Sequence, residues 1–221
     1  ACNLALPTGA VTNSGTIQVN PGNGGDRIVT GGITNTGTIS VANGIGLNVV
    51  ATGRVVDQNA GSMTAPGQII VDNGTFNFNG GSISGNVYLR NSQLNVAPTV
   101  TTPSTLFITG PTPSLVNNAS PNVSVWVRGS QVGSHTVCST IDGAVNAGTM
   151  RMESTEIGYS SNLAIAGSFT NTASGVIQVN NGTGGSRNIS GHLINAGTVN
   201  VGSTTQLIIP DHYTAAGGTL N

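Results

Sequence analysis

One short phrase recurs along this chain at intervals too regular for an ordinary globular domain. It reads NSGTI from Asn13, NTGTI from Asn35, NAGSM from Asn59, NGGSI from Asn79, NAGTM from Asn146 and NAGTV from Asn195, with a looser NTASGVI from Asn171. Successive starts lie 22, 24 and 20 residues apart from Asn13 to Asn79, and 24 apart from Asn171 to Asn195. A period in this range, punctuated by Gly-rich corners, marks a solenoid: a unit too small to bury its own apolar face stacks on copies of itself. Between the corners, apolar and polar residues alternate in TIQV, TISV, TFNF, QLNV, VSVWV, VIQV and TVNV. That period of two is the signature of strands. No amphipathic stretch of helical length competes, and Gly, Asn, Thr and Val all disfavour helix interiors.

The expected fold is all-β: a right-handed parallel β-helix, or β-solenoid, with coils of about 20–24 residues. Stacked coils place equivalent residues about 4.8 Å apart. Inward Val and Ile then form columns, with Ile17 directly over Ile39, and Asn side chains hydrogen-bond along the stack. Asn and Gly are expected at the bends because both tolerate left-handed backbone. The same geometry accounts for the composition. Charged residues are 6% of the chain and lysine is absent, where about 25% charged is usual. Like charges at strand spacing repel, whereas amides and hydroxyls form ladders.

Three segments are expected: solenoid coils over 1–97, a proline-rich insertion or irregular coil over 98–121, and solenoid coils again over 122–221. The middle stretch holds Pro98, Pro103, Pro111, Pro113 and Pro121, five of the nine prolines, and proline cannot donate to a strand ladder. A hinge between two halves is the alternative. A longer repeat overlies the short one. IQVNPGNGGDR from Ile17 returns as IQVNNGTGGSR from Ile177, and the match stays in step over 17–41. Similar corners are the plainer explanation. A match this long favours duplication of a unit of 160 residues, so that 168–221 repeats the start of the first segment. Matching end coils also admit head-to-tail self-association into a filament.

VTNSGTIQV, ITNTGTISV and LINAGTVNV resemble the passenger regions of bacterial autotransporters and other large secreted adhesins, which carry degenerate N-x-G-T-(I/V) coils on right-handed parallel β-helices. The resemblance covers roughly 11–94 and 144–220. It implies an exported bacterial surface protein, extracellular or on the cell surface, acting as adhesin, stalk or fibre. Its partners would be host or matrix glycans or surface proteins. In such a compartment Cys2 and Cys138 could form a disulfide, closing a loop of more than 130 residues. Unpaired thiols or pairing between molecules are the alternatives. A net charge of −1 gives no electrostatic case for nucleic acid. No stretch reaches the roughly 18 apolar residues that span a bilayer, so this segment is not expected to insert into a membrane.

The chemistry-bearing residues are few. Polysaccharide-cleaving β-helices need clustered carboxylates, and their lyases an Arg or Lys base. Here the acids are Asp26, Asp57, Asp72, Asp142, Glu153, Glu156 and Asp211, with no Asp-Asp or Asp-x-Asp pair. Asp57 and Asp72 are expected on different faces. Asp211 adjoins His212, but no serine nucleophile elbow accompanies them, and adjacent side chains on a strand point opposite ways. His135 with Cys138 supplies two metal ligands at most, and His192 has none at ligand spacing. No catalytic residue, metal or cofactor is therefore expected, and the chain is not expected to be an enzyme. A glycan-binding or glycan-cleaving β-helix is the runner-up.

GNGGDR and GTGGSR lack the lysine and following helix of a phosphate loop. They read as corner loops, with Asp26, Arg27 and Arg187 as candidates for a ligand surface. Trp126, the only tryptophan, shares a face with Ser124, opposite Val123, Val125 and Val127. With the valines inward it faces out, to stack on a sugar or to pack against the proline-rich stretch. Ice binding needs a regular double column of Thr. The corner TNTGT suits it, but the matching TNSGT, INAGT and NAGSM do not.

Overall fold

The structure is a computed structural model that describes residues 2–131, 134–203 and 205–221, with the side chains of all of these except Cys2, Leu6, Pro7 and Thr8. Among the described residues there is no helix, and the chain stacks as a β-solenoid of about ten coils. The early coils comprise β1 (Cys2–Asn13), β2 (Thr16–Val19), β3 (Arg27–Asn35), β4 (Thr38–Val41), β5 (Gly46–Val50), β6 (Val55–Gln58), β7 (Ser62–Asp72), β8 (Thr75–Phe78), β9 (Ser82–Arg90) and β10 (Gln93–Val96). The middle holds β11 (Ser104–Thr109), β12 (Ser114–Asn118), β13 (Val123–Gly129), β14 (Thr136–Thr140) and β15 (Ala144–Asn146). The late coils comprise β16 (Thr149–Ser154), β17 (Ser161–Asn171), β18 (Val176–Val179), β19 (Arg187–Asn195), β20 (Thr198–Val201), β21 (Leu207–Ile208), β22 (His212–Ala215) and β23 (Thr219–Leu220).

The named strands pair in parallel, each with its counterpart one coil away. Ile17 lies against Ile39 in register, and Ile39 against Met63. Inward positions form one continuous core that includes Ile39, Met63, Ile83, Leu106, Val125, Met150, Ile177 and Val199, all essentially buried. At about 25 cal/mol per Å² of apolar surface removed from water, these columns supply the main stabilising term. A single coil exposes them on both sides, so each coil needs its neighbours.

The proline-rich stretch does not leave the stack. Its β11 and β12 pair with coils on both sides, so 98–121 is a coil rather than an insertion. The prolines sit between strands, where no ladder N–H is needed. What changes in the middle is the cross-section. One sheet, formed by β2, β4 and the first halves of β7 and β9, stops there. Another, formed by β14, the first halves of β17 and β19, and β21, begins. Two sheets run the whole length. In one of them a single outward row passes Ile28, Asn48, Ile70, Tyr88, Phe107, Trp126, Arg151, Gln178 and Asn200. The duplicated phrase is therefore not duplicated in place. Gln178 lies in this row, whereas its counterpart Gln18 lies in the row of Ser40, Thr64 and Ser84 on the sheet that stops.

Two corner asparagines, Asn73 and Asn91, take the expected left-handed backbone at φ 57° and 50°. Most of those that open the recurrent phrase depart from expectation: Asn13, Asn35, Asn146, Asn171 and Asn195 have no positive φ, point inward and form a buried amide ladder along the other full-length sheet. Asn13 Nδ2 donates to Asn35 Oδ1 at 2.7 Å, and Asn35 Nδ2 to Gln58 Oε1 at 2.7 Å. After a break at Phe78 and Val96 the ladder resumes. Asn118 donates to Asn146 at 2.9 Å, Asn146 to Asn171 at 2.8 Å, and Asn171 to Asn195 at 2.8 Å. Asn195 ends it on the Tyr213 hydroxyl. The same amides also donate to backbone carbonyls at the corners, such as those of Thr38 and Gly148.

Two corners carry one extra residue. There Gln58 and Phe78 take the inward position, Asn59 and Asn79 are left outside, and Gly61 and Gly81 turn left-handed at φ 65° and 79°. At Gly37 and Gly197 the glycine serves close approach: a methyl there would run into the carbonyls of Gly15 and Gly175 one coil below.

Candidate functional site

Trp126 faces outward, as the alternation in VSVWV requires, with Val123, Val125 and Val127 buried behind it. It ends an aromatic column on the full-length row. Tyr88 stacks on Phe107 with ring centroids 5.0 Å apart, and Phe107 on Trp126 at 5.2 Å. Arg151, one rung further, lies 3.8 Å from the indole centroid. Arg128 reaches back over all three rings and donates to the Tyr88 hydroxyl at 3.2 Å. Ile70, Tyr88 and Phe107 form a small second cluster, exposed by only 5–9%. The indole packs between Phe107 of the proline-rich coil and Arg151, which leaves its edge at the surface rather than a free face. Each ring pair contributes about 0.5–1.5 kcal/mol beyond burial.

The candidate ligand residues of the corner loops hold the loops themselves. The Arg27 guanidinium donates to the carbonyls of Gly25 and Asn20, and that of Arg187 to those of Asn181, Gly184 and Gly185. Arg187 is 4% exposed, and burial pulls its pKa below the ordinary arginine value against the opposing charge of Glu153. The repeated phrase thus encodes one device twice: a Gly-rich loop whose carbonyls are gathered by the arginine that ends it. Asp26 Oδ1 accepts from Gly46 N at 2.8 Å, one coil on. The two arginines stand in separate coils near opposite ends of the stack and form no common surface.

The other acids follow Asp26. Asp57 accepts from Asn77 at 2.8 Å, and Asp72 pairs with Arg90 at 2.8 Å, which raises the arginine's pKa. Glu153 accepts from Arg151 Nε at 2.7 Å and from Asn180 at 2.6 Å. Asp142, Glu156 and Asp211 accept backbone N–H groups of Ser168, Gln131 and Gly191. The Ser168 hydroxyl donates to the same Asp142 oxygen, and the two Ser168 bonds, the backbone one first, hold the Asp142 carboxyl below its usual pKa. Asp57 and Asp72 stand on different sheets, and Glu153 and Glu156 serve different partners. Asp211 bonds Gly191 while His212 stacks edge-on against His192, so the two do not act as a pair. His135 Nδ1 accepts from Ser160 N. Cys138 points inward as a buried free thiol, pushed up to about 12 by desolvation. The Cys2 side chain lies outside the described residues; its backbone pairs with Arg27 in the first coils. Among the described residues no cluster of His, Cys, Asp and Glu has the makings of a metal site, and no helix is long and apolar enough to cross a membrane.

Sequence reasoning missed a cavity of about 320 Å³ beside Tyr88, lined by Asp26, Asn43, Ile45, Pro66, Gln68 and Asn86. Compared with protein-family models, curated proteins and solved structures, the chain matches none.

Proposed function

We propose that this chain is a non-catalytic rod segment of an exported bacterial surface protein, serving as adhesin, stalk or fibre. The carrying observation is the use made of its seven carboxylates. Each accepts hydrogen bonds across neighbouring coils: Asp26 from Gly46, Asp57 from Asn77, Asp72 from Arg90, Asp142 from Ser168, Glu153 from Asn180, Glu156 from Gln131 and Asp211 from Gly191. A hydrolase or lyase needs carboxylates converging on one substrate atom; these fasten separate levels of a stack. About ten coils at about 4.8 Å make a stiff body roughly 50 Å long. The recurrent corner phrases resemble adhesin passengers, which supports a place outside the cell. Antibodies raised against the folded protein should label intact cells that produce it. Labelling that appears only after lysis would refute the surface assignment. Release of unsaturated oligosaccharides from uronate polymers in the presence of calcium would refute the non-catalytic one.

A further inference from the structure

The cavity beside Tyr88 has a cause in corner length. Where the chain passes from the sheet that stops to the full-length aromatic sheet, the early coils turn through protruding loops, 20–26 between β2 and β3 and 42–45 between β4 and β5. The next coils make the same passage within β7 and β9, with only a shift of register, and β11 and β13 carry no loop there. The loops therefore overhang a flush surface. Gly46 and Gln68 lie in register on its floor, and Asn86 directly precedes Val87, the partner of Ile69. Glycines keep the floor low: a methyl at Gly46 would meet the Asp26 carboxyl at 2.8 Å, and one at Gly67 would strike the Ile45 and Ala42 carbonyls.

The groups offered there are of one kind. Asp26 spends Oδ1 on Gly46 N and keeps Oδ2. Asn86 spends Nδ2 on the Gly67 carbonyl at 2.9 Å and keeps Oδ1. The side-chain amides of Asn43 and Gln68 make no hydrogen bond within the described residues. Pro66 and Ile45 add apolar surface, the nearly buried Tyr88 ring closes one side, and no Arg or His lines the cavity. Amides that both donate and accept, one carboxylate oxygen that only accepts, and apolar patches match the alternating hydroxyls and C–H faces of a sugar. A lone carboxylate without a cation repels uronate, sialate or sulfate. The volume sits at the small end for ligand sites, about 300 Å³ and upward, and the lining residues come from four successive coils.

We propose that this cavity is a binding site for a neutral oligosaccharide lying along the solenoid axis, held by Asp26, Asn43, Gln68 and Asn86 and bordered by Tyr88. The proposal stands apart from the surface assignment, because binding is read on the purified protein and location on cells.

The test is calorimetry and saturation-transfer NMR with cellotetraose, maltotetraose, mannotetraose and N-acetylchitotetraose, with trigalacturonate as the charged probe. At least one neutral probe should bind and trigalacturonate should not. Asn43→Ala and Gln68→Ala, which break no internal hydrogen bond, should each weaken binding about tenfold. Gln68→Trp should fill the floor and abolish it, while strand circular dichroism and the thermal midpoint of all three variants stay close to wild type. The proposal is overturned if no neutral probe binds at millimolar concentration, if only trigalacturonate binds, or if the alanine variants bind as wild type does.

Discussion

An amide side chain sealed inside a dry shaft has nowhere to turn for partners except the rungs above and below. Asn146 illustrates this: fully buried, it accepts from Asn118 and donates to Asn171 and to the Gly148 and Val176 carbonyls. Asn146→Leu removes all of these and orphans the Asn171 Oδ1, so it should cost about 2–4 kcal/mol by urea denaturation. Asn79→Ala cuts an amide pair on the exposed surface and should cost under about 0.5 kcal/mol. Cys138 gives the matching case for a titrating group. Its folded-state pKa, about 12, lies above the value of about 8.5 for an unfolded thiol. The native state therefore holds the proton more tightly. Stability should be level below about pH 8.5 and fall as pH rises from there towards 12, and Cys138→Ala should flatten that slope. In a Cys2→Ser background a thiol reagent at about pH 8 should react only after unfolding.

At the level of the corner, identical letters hide two geometries. The three-residue step from Asn35 to Thr38 turns its asparagine inward, and the four-residue step from Gln58 to Ser62 leaves Asn59 outside. One added residue changes the phase, and a motif search that aligns on N-x-G cannot see it. Glycine pairs test the close approach. Gly37→Ala presses a methyl on the Gly15 carbonyl, whereas the same change at Gly15 meets nothing within 4 Å. The first should cost about 1–3 kcal/mol and the second under about 1 kcal/mol in thermal unfolding. The strands themselves were legible, because alternation such as VSVWV writes burial directly into side-chain order: Val125 went in and Trp126 out. The carboxylate bonds were not legible, since a partner some 20 residues away is often a backbone N–H that leaves no letter. The cavity was half legible. Its polar residues look like any corner, but the shrinking of that corner from seven residues to none can be counted once the strands are placed.

For the whole molecule, stability rests on apolar columns and neutral ladders rather than on charge. The ion pairs among the described residues include Arg90–Asp72 and Arg151–Glu153, with the arginines about one-third exposed, and such pairs are worth about 0–1 kcal/mol each. Raising NaCl from about 0.05 to 1 M should therefore change the unfolding free energy by less than about 1 kcal/mol. A loss several times larger would mean that charge contributes more than these pairs allow. The solenoid and its stacking were foreseeable from the period of the corner phrase. The exchange of one sheet for another in the middle was not, because it depends on how far β11 and β13 run before they bend.

The arginines described above have a consequence for digestion. With no lysine, trypsin has six residues to cut after, and five of them stand in strands that pair with a neighbour: Arg27, Arg90, Arg128, Arg151 and Arg187. A protease must draw several residues of extended chain into its cleft, so the intact rod offers trypsin little to grip until its levels come apart.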